Sequence, residues 1–245
     1  MKDVNRVSAL LSCMRRFSRW LPEIAVIGLF VCLSLLRLQP VPAPYEDQGG
    51  YVALGRSLAA DKGFVRSDLP GEPVDRRMSP AYPLFIAGLI KVCGDNVLIF
   101  QLSSLIIMAA ALGIFALVLR CGRVPAGVRH AVMALCAVCP LLLTFSLPVL
   151  TEAGFLFLLT AGLYCFLRYE RSGHAGWFWT AMGAGMIAFF QRYAGIVLFV
   201  AFLGVLPAWK RRGGELRRPW RNTTSGRIIH STPSSCTGPS ATTSP

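Results

Sequence analysis

Residues able to do acid–base and anion chemistry are concentrated in one short stretch of this 245-residue chain. Positions 39–80 carry Glu46, Asp47, Asp61, Asp68, Glu72 and Asp75, which is six of the 12 acids in the whole sequence. The same stretch holds Arg56, Lys62, Arg66, Arg76 and Arg77. Carboxylates accept protons and guanidinium groups hold anions, so a site could be built from these types. Two further charged residues stand apart. Glu152 opens an apolar run, where an acid is costly in lipid and is a functional candidate by default, although the helix dipole also favours an acid at a helix start. Arg192 interrupts two apolar runs directly after Gln191. Asp47 reads equally as a helix cap, and Arg76 and Arg77 as a solvated loop. Taken singly, none of these residues identifies a reaction.

The elements that must position them can be read from spacing. Pro40, Pro42 and Pro44 form a stiff extended lead-in. Asp47 can then cap a helix over about 48–60, ended by Lys62–Gly63. Tyr51, Leu54 and Leu58 share one face of that helix, which would lie on a membrane surface with its apolar side down. A second start, Ser79–Pro80–Ala81–Tyr82–Pro83, places proline where a first helical turn tolerates it. The apolar run that follows, Tyr82 to Val92, is too short to span and reads as re-entrant or interfacial.

Composition sets the wider frame. Hydrophobic residues make up 54% of the chain and charged residues only 15%, well below the roughly 25% of a soluble domain. Eight cysteines, mostly inside apolar runs, are too sparse for a disulfide scaffold. A bilayer core takes about 20 apolar residues as helix. Six stretches qualify or come close: 20–38, 96–119, 128–147, 152–168, 176–190 and 193–209. The fold class is therefore all-α and polytopic, with about six transmembrane helices and a long first loop over 39–95. The first 19 residues hold five basic residues and one acid, and no small-x-small cleavage site follows the first run, which reads as a retained signal anchor. The positive-inside rule puts the N-terminus in the cytoplasm and residues 39–95 outside. It puts Arg120, Arg123, Arg129, Arg168, Arg171 and Lys210–Arg212 inside, and Arg192 outside. The net charge of +13 is thereby topological, and nucleic acid is excluded as a partner.

In this order and with this sidedness, the outer-loop residues resemble a known family. Asp47, Tyr51, Ala53–Leu54–Gly55–Arg56–Ser57–Leu58, Gly63–Phe64 and Arg77–Met78–Ser79–Pro80–Ala81–Tyr82–Pro83–Leu84–Phe85 resemble the first outer loop of GT-C membrane glycosyltransferases. The similarity is to the dolichyl-phosphate-mannose protein mannosyltransferase and aminoarabinose transferase branch. Leu150–Thr151–Glu152 and Gln191–Arg192–Tyr193–Ala194–Gly195 are similar to later motifs of the group, so the resemblance covers about 20–212. It implies an inner-membrane enzyme that inverts a sugar as it moves from a polyprenyl-phosphate donor to a hydroxyl on a lipid, glycan or protein acceptor, outside the cytoplasm and among membrane lipids. It implies Asp47 as catalytic base, with Glu46 beside it as the fallback. Arg76, Arg77 and Arg192 would hold the leaving lipid phosphate, while Tyr51, Tyr82 and Glu152 would contact substrate. No organic cofactor is implied, and a divalent cation remains compatible.

Other signals carry less. Glu23 reads as an acid snorkelling to the interface. Cys136 and Cys139 read as packing, and Gly183 and Gly185 as close helix contacts. The sequon Asn222–Thr223–Thr224 falls on the cytoplasmic side. Residues 213–245 turn basic and then rich in Ser, Thr and Pro, as a disordered tail does. Members of the resembled family continue with further spans, so the chain reads as a naturally short version or as a truncated or frame-shifted product. The rival reading is a small transporter or flippase component that uses Glu152 and Arg192 as a midplane pair; a third is a structural membrane protein without chemistry.

Overall fold

The computed structural model describes residues 18, 20–38, 46–71, 73–75 and 77–211; for residue 46 and residues 205–211 it describes the backbone alone. Among these residues the chain is all-helical, and its single strand-like feature is one isolated bridge between Val65 and Val74. The helices are α1 (Leu21–Leu35), α2 (Glu46–Ala59), α3 (Ala81–Cys93), α4 (Val97–Cys121), α5 (Ala126–Val138), α6 (Pro140–Thr144), α7 (Thr151–Ser172), α8 (Ala175–Gln191) and α9 (Ile196–Arg211). A 3₁₀ turn, Tyr193–Gly195, separates the last two. Two of them, α4 with 25 residues and α7 with 22, are long and apolar enough to cross a membrane.

Local chemistry explains most of the boundaries. Pro22 sits in the first turn of α1, where its missing N–H is no loss. The Asn96 side chain caps α4 by accepting the Leu98 N–H at 2.9 Å. Gly173 closes α7 in the left-handed region at φ 66°, where a Cβ would be strained. The stretch expected as one helix over 128–147 is instead broken into α5 and α6. Pro140 cannot donate an N–H and its ring crowds the preceding turn, so the helix stops at Val138 and restarts. The helix expected to follow a cap at Asp47 begins at Glu46, which puts Asp47 inside its first turn. Its end also differs from expectation. Asp61, at φ 58°, takes the left-handed position, and the N–H groups of Asp61 and Lys62 bond back to Leu58 and Ser57.

Three apolar clusters hold the helices together. Phe30, Leu105, Met108, Met133 and Ala153 join α1, α4, α5 and α7. Phe166, Tyr169, Phe178 and Phe202 join α7, α8 and α9. Val52, Tyr82, Ile86, Phe100 and Val149 seat α2 and α3 on the start of α4 and the approach to α7. The apolar face of α2 is thus covered by protein: Leu54 is fully buried, and a side chain at Gly55 would collide with Ile86 of α3. Of the two expected contact glycines, Gly185 lies against the Phe199 backbone, whereas Gly183 has open space.

Polar groups collect at the two opposite ends of α4. At one end the carboxylate of Glu23, at the start of α1, accepts from Arg129 at 2.7 Å and lies 2.9 Å from Arg120 and 3.4 Å from His130. Trp20 stacks on the Arg120 guanidinium, 3.3 Å from ring centre to carbon. Glu23 does not snorkel: it is buried, with Arg120 from the end of α4 and Arg129 from the start of α5 reaching in to neutralise it. The other end, about 37 Å away along α4 at 1.5 Å per residue, carries the expected chemistry.

Candidate functional site

Four chain segments meet at that second end. The start of α7 presents Thr151 and Glu152, the end of α8 presents Gln191 and Arg192, α2 presents Tyr51, and the turn before α3 presents Ser79. The Arg192 guanidinium donates to Glu152 at 2.7 Å across 40 positions of sequence. Ser79 donates its hydroxyl hydrogen to the Gln191 carbonyl at 2.6 Å, and the Gln191 amide reaches the Thr151 carbonyl at 3.4 Å. Backbone geometry makes this possible. Arg192 is extended at φ −150° where α8 ends, and Gly195 then lies so close to the Ala188 and Phe189 backbone that any Cβ would collide with it. Glycine is the residue that permits this tight reversal.

Tyr51 is the hub. Its hydroxyl faces the Ser79 and Thr151 side chains. Burial pushes its pKa up, and the negative charges of Asp47 and Glu152 push it further in the same direction. Beneath Tyr51, Tyr82 packs edge-on at 5.3 Å between ring centres, is 3% exposed, and shares a 3.3 Å hydrogen bond with Ser104. Tyr82 supports Tyr51 from below and does not open onto solvent.

The remaining expected residues divide clearly. Asp47 is exposed in the first turn of α2, and its carboxylate has no hydrogen bond or ion pair among the described residues. Arg77 is exposed; its backbone N–H donates to Asp75 at 2.7 Å, and its guanidinium has no partner among the described residues. Arg192 is committed to Glu152 yet keeps 44% of its side chain exposed. The Glu46 side chain and Arg76 lie outside the described residues, as does the tail with its sequon.

No family model, curated protein or solved structure matches the chain. The site must therefore be read from its own geometry. Sequence reasoning gave no site role to Gln48, Ser79, Ser104 or Thr151, although Ser79 and Thr151 stand inside the motifs it singled out. Ser79 was legible only as a helix-start residue. Gln48 had one usable signal: it lies three and four positions before Tyr51 and Val52, on the face of α2 that turns inward.

The segment between α2 and α3 is organised by its own contacts. Arg66 bridges Asp68 at 2.6 Å and Asp75 at 3.5 Å, and the Arg66 and Asp75 N–H groups bond to the carbonyls of Pro73 and Phe64 across the Val65–Val74 bridge. Arg66 holds the Asp68 carboxyl below its ordinary value. Burial pushes Asp75 up, but the N–H groups of Arg77 and Met78 together with Arg66 outweigh it and leave Asp75 low. This turn folds against α2, where Met78 and Arg66 crowd Gly50.

Proposed function

We propose that the chain is a membrane glycosyltransferase, or the N-terminal part of one, that moves a sugar from a polyprenyl-phosphate donor to a hydroxyl acceptor on the extracytoplasmic side. The observation that carries the reading is the Arg192–Glu152 ion pair set beside Ser79, Gln191 and Thr151, with the exposed Asp47 one helical turn before Tyr51 on α2. A free carboxylate, a guanidinium and hydrogen-bonding hydroxyls are what such a transfer needs. The acceptor oxygen attacks the anomeric carbon and passes its proton to Asp47. The bond from that carbon to the phosphate oxygen breaks on the opposite face, and polyprenyl phosphate leaves with the electron pair, inverting the centre. Arg77, uncommitted, and Arg192, half-exposed, supply paired donors to the phosphate oxygens.

The reading takes the six apolar stretches as spans, the N-terminus as cytoplasmic and the segment around 46–95 as external. Supporting it, the Arg120, Arg129 and His130 cluster and the Asp47, Glu152 and Arg192 cluster lie at opposite ends of α4. The transporter reading is weaker on one point. Glu152 and Arg192 do pair, but at the end of the assembly where α7 begins and α8 stops, whereas a transport site is expected at broken helices near the bilayer midplane.

Reconstituted vesicles supplied with a radiolabelled polyprenyl-phosphate sugar and membrane-extract acceptors test this. Transfer is expected from the unaltered chain and is expected to fall by about 10²-fold or more in Asp47→Asn, the range for losing a general base. Transfer undiminished in Asp47→Asn removes Asp47 as the base, and no transfer by the unaltered chain with any polyprenyl-phosphate sugar rejects the enzyme reading.

A further inference from the structure

Gln48 follows Asp47 on the first turn of α2, and its side chain is 1% exposed. Neither its amide oxygen nor its amide nitrogen has a hydrogen-bond partner among the described residues. Most buried polar groups are paired, so a buried amide with both of its polar atoms orphaned points to a partner other than the chain itself. Its direction follows from its neighbours. Tyr51 and Val52, at i+3 and i+4, share its face. Val52 packs with Tyr82, Phe100 and Val149, and Tyr51 faces Thr151. That face of α2 therefore turns toward the beginning of α7. There Glu152 gives one oxygen to Arg192, while its other oxygen, Oε2, is buried and likewise without a partner among the described residues.

The donor and acceptor inventory narrows what fits. Gln48 Oε1 and Glu152 Oε2 are acceptors, and Gln48 Nε2 is a donor. A phosphate only accepts, so it would satisfy the amide N–H and leave both oxygens bare. A metal ion would satisfy the oxygens and leave the N–H bare. Hydroxyl groups donate and accept together, and a side-chain amide presents its pair at a spacing suited to two neighbouring hydroxyls. We propose that Gln48 and the free oxygen of Glu152 form a subsite for the hydroxyl groups of a sugar ring, with Gln48 as a specificity-determining residue; this rests on the glycosyltransferase reading. In this division of labour the sugar is read by Gln48 and Glu152, while the phosphate is held separately by Arg77 and Arg192.

Two probes separate the halves of the donor: octyl glycosides of mannose, glucose and arabinose, and octyl phosphate. Equilibrium binding to the full chain in lipid nanodiscs is measured for each, with the 2-deoxy and 3-deoxy glycosides as controls. Gln48→Met, close to isosteric, is expected to weaken the preferred glycoside about tenfold, as loss of a hydrogen bond to a buried partner does. Octyl phosphate binding is expected to change by less than about twofold. One deoxy glycoside is expected to bind the unaltered chain as weakly as the full glycoside binds Gln48→Met, and to be indifferent to that substitution. Should Gln48→Met fail to fold, Gln48→Leu removes both the donor and the acceptor without adding a charge, and the same pattern is expected. Unchanged glycoside binding, or equal weakening of both probes, overturns the subsite and leaves the transferase reading standing. Absence of binding by every glycoside and by octyl phosphate to the unaltered chain rejects both.

Discussion

Replacing Glu23 by glutamine is expected to destabilise the helical assembly severely, although Glu23 lies at the opposite end from the candidate site. The Glu23 side chain is 1% exposed, against 21% for Arg120 and 13% for Arg129, and one of its oxygens takes both arginines at 2.9 and 2.7 Å. Glutamine keeps the shape and an acceptor oxygen but removes the charge. Two guanidinium groups then face each other about 5 Å apart, a repulsion of about 3 kcal/mol at an effective dielectric near 20. Removing one partner from a buried ion pair costs about 3–5 kcal/mol in measured cases. The arginines are partly exposed, so the lower end applies. At about 2–4 °C per kcal/mol for a chain of this size, Tm should fall by about 6–12 °C. Thermal unfolding followed by monodisperse recovery in detergent reads this directly. The combined replacement Glu23→Leu, Arg120→Leu and Arg129→Leu should lose less than Glu23→Gln alone, because no unpaired charge is left behind. A Glu23→Gln protein as stable as the unaltered one would refute the clamp, and so would a triple variant losing as much as the single.

Other predictions follow from the same geometry. Gly195→Ala drives a Cβ into the Ala188 and Phe189 backbone, so it should displace the Arg192 turn and lower transfer at least tenfold, while Gly183→Ala, facing open space, should leave transfer unchanged. The segment between α2 and α3 should be acid-sensitive. Asp68 and Asp75 both sit below the ordinary carboxylate value of 3.8, so their contribution to loop order is complete above that pH and is lost as pH falls through their lowered values. Limited proteolysis of 64–75 should therefore accelerate below about pH 4, and Arg66→Gln should already be susceptible at pH 7.

Much of the helical pattern was legible because apolar run length and helix-end residues carry it directly. Asn96, Gly173 and Pro22 act as their types predict. The break at Pro140 was equally available, yet it was masked by the continuous hydropathy around it. The Glu23 cluster was not legible, since its partners come from positions 120, 129 and 130 and only tertiary packing selects them. The pairing of Glu152 with Arg192 was visible as two polar residues at two span ends, but its 2.7 Å contact depends on the turn that Gly195 permits. Gln48 and Ser79 were obscured for another reason: single uncharged polar residues reveal burial only once a neighbouring helix covers them.

Sidedness decides whether the site can work on a lipid-linked sugar outside the cell. In a cysteine-free background, Ser67→Cys between α2 and α3 and Ser172→Cys at the far end of α7 provide one probe position at each end of the assembly. A membrane-impermeant maleimide applied to intact cells should label position 67 and spare 172 until the membrane is opened. Labelling at 172 with protection at 67 would invert the chain, turn Asp47 and Arg192 toward the cytosol, and contradict sugar transfer on the outer face.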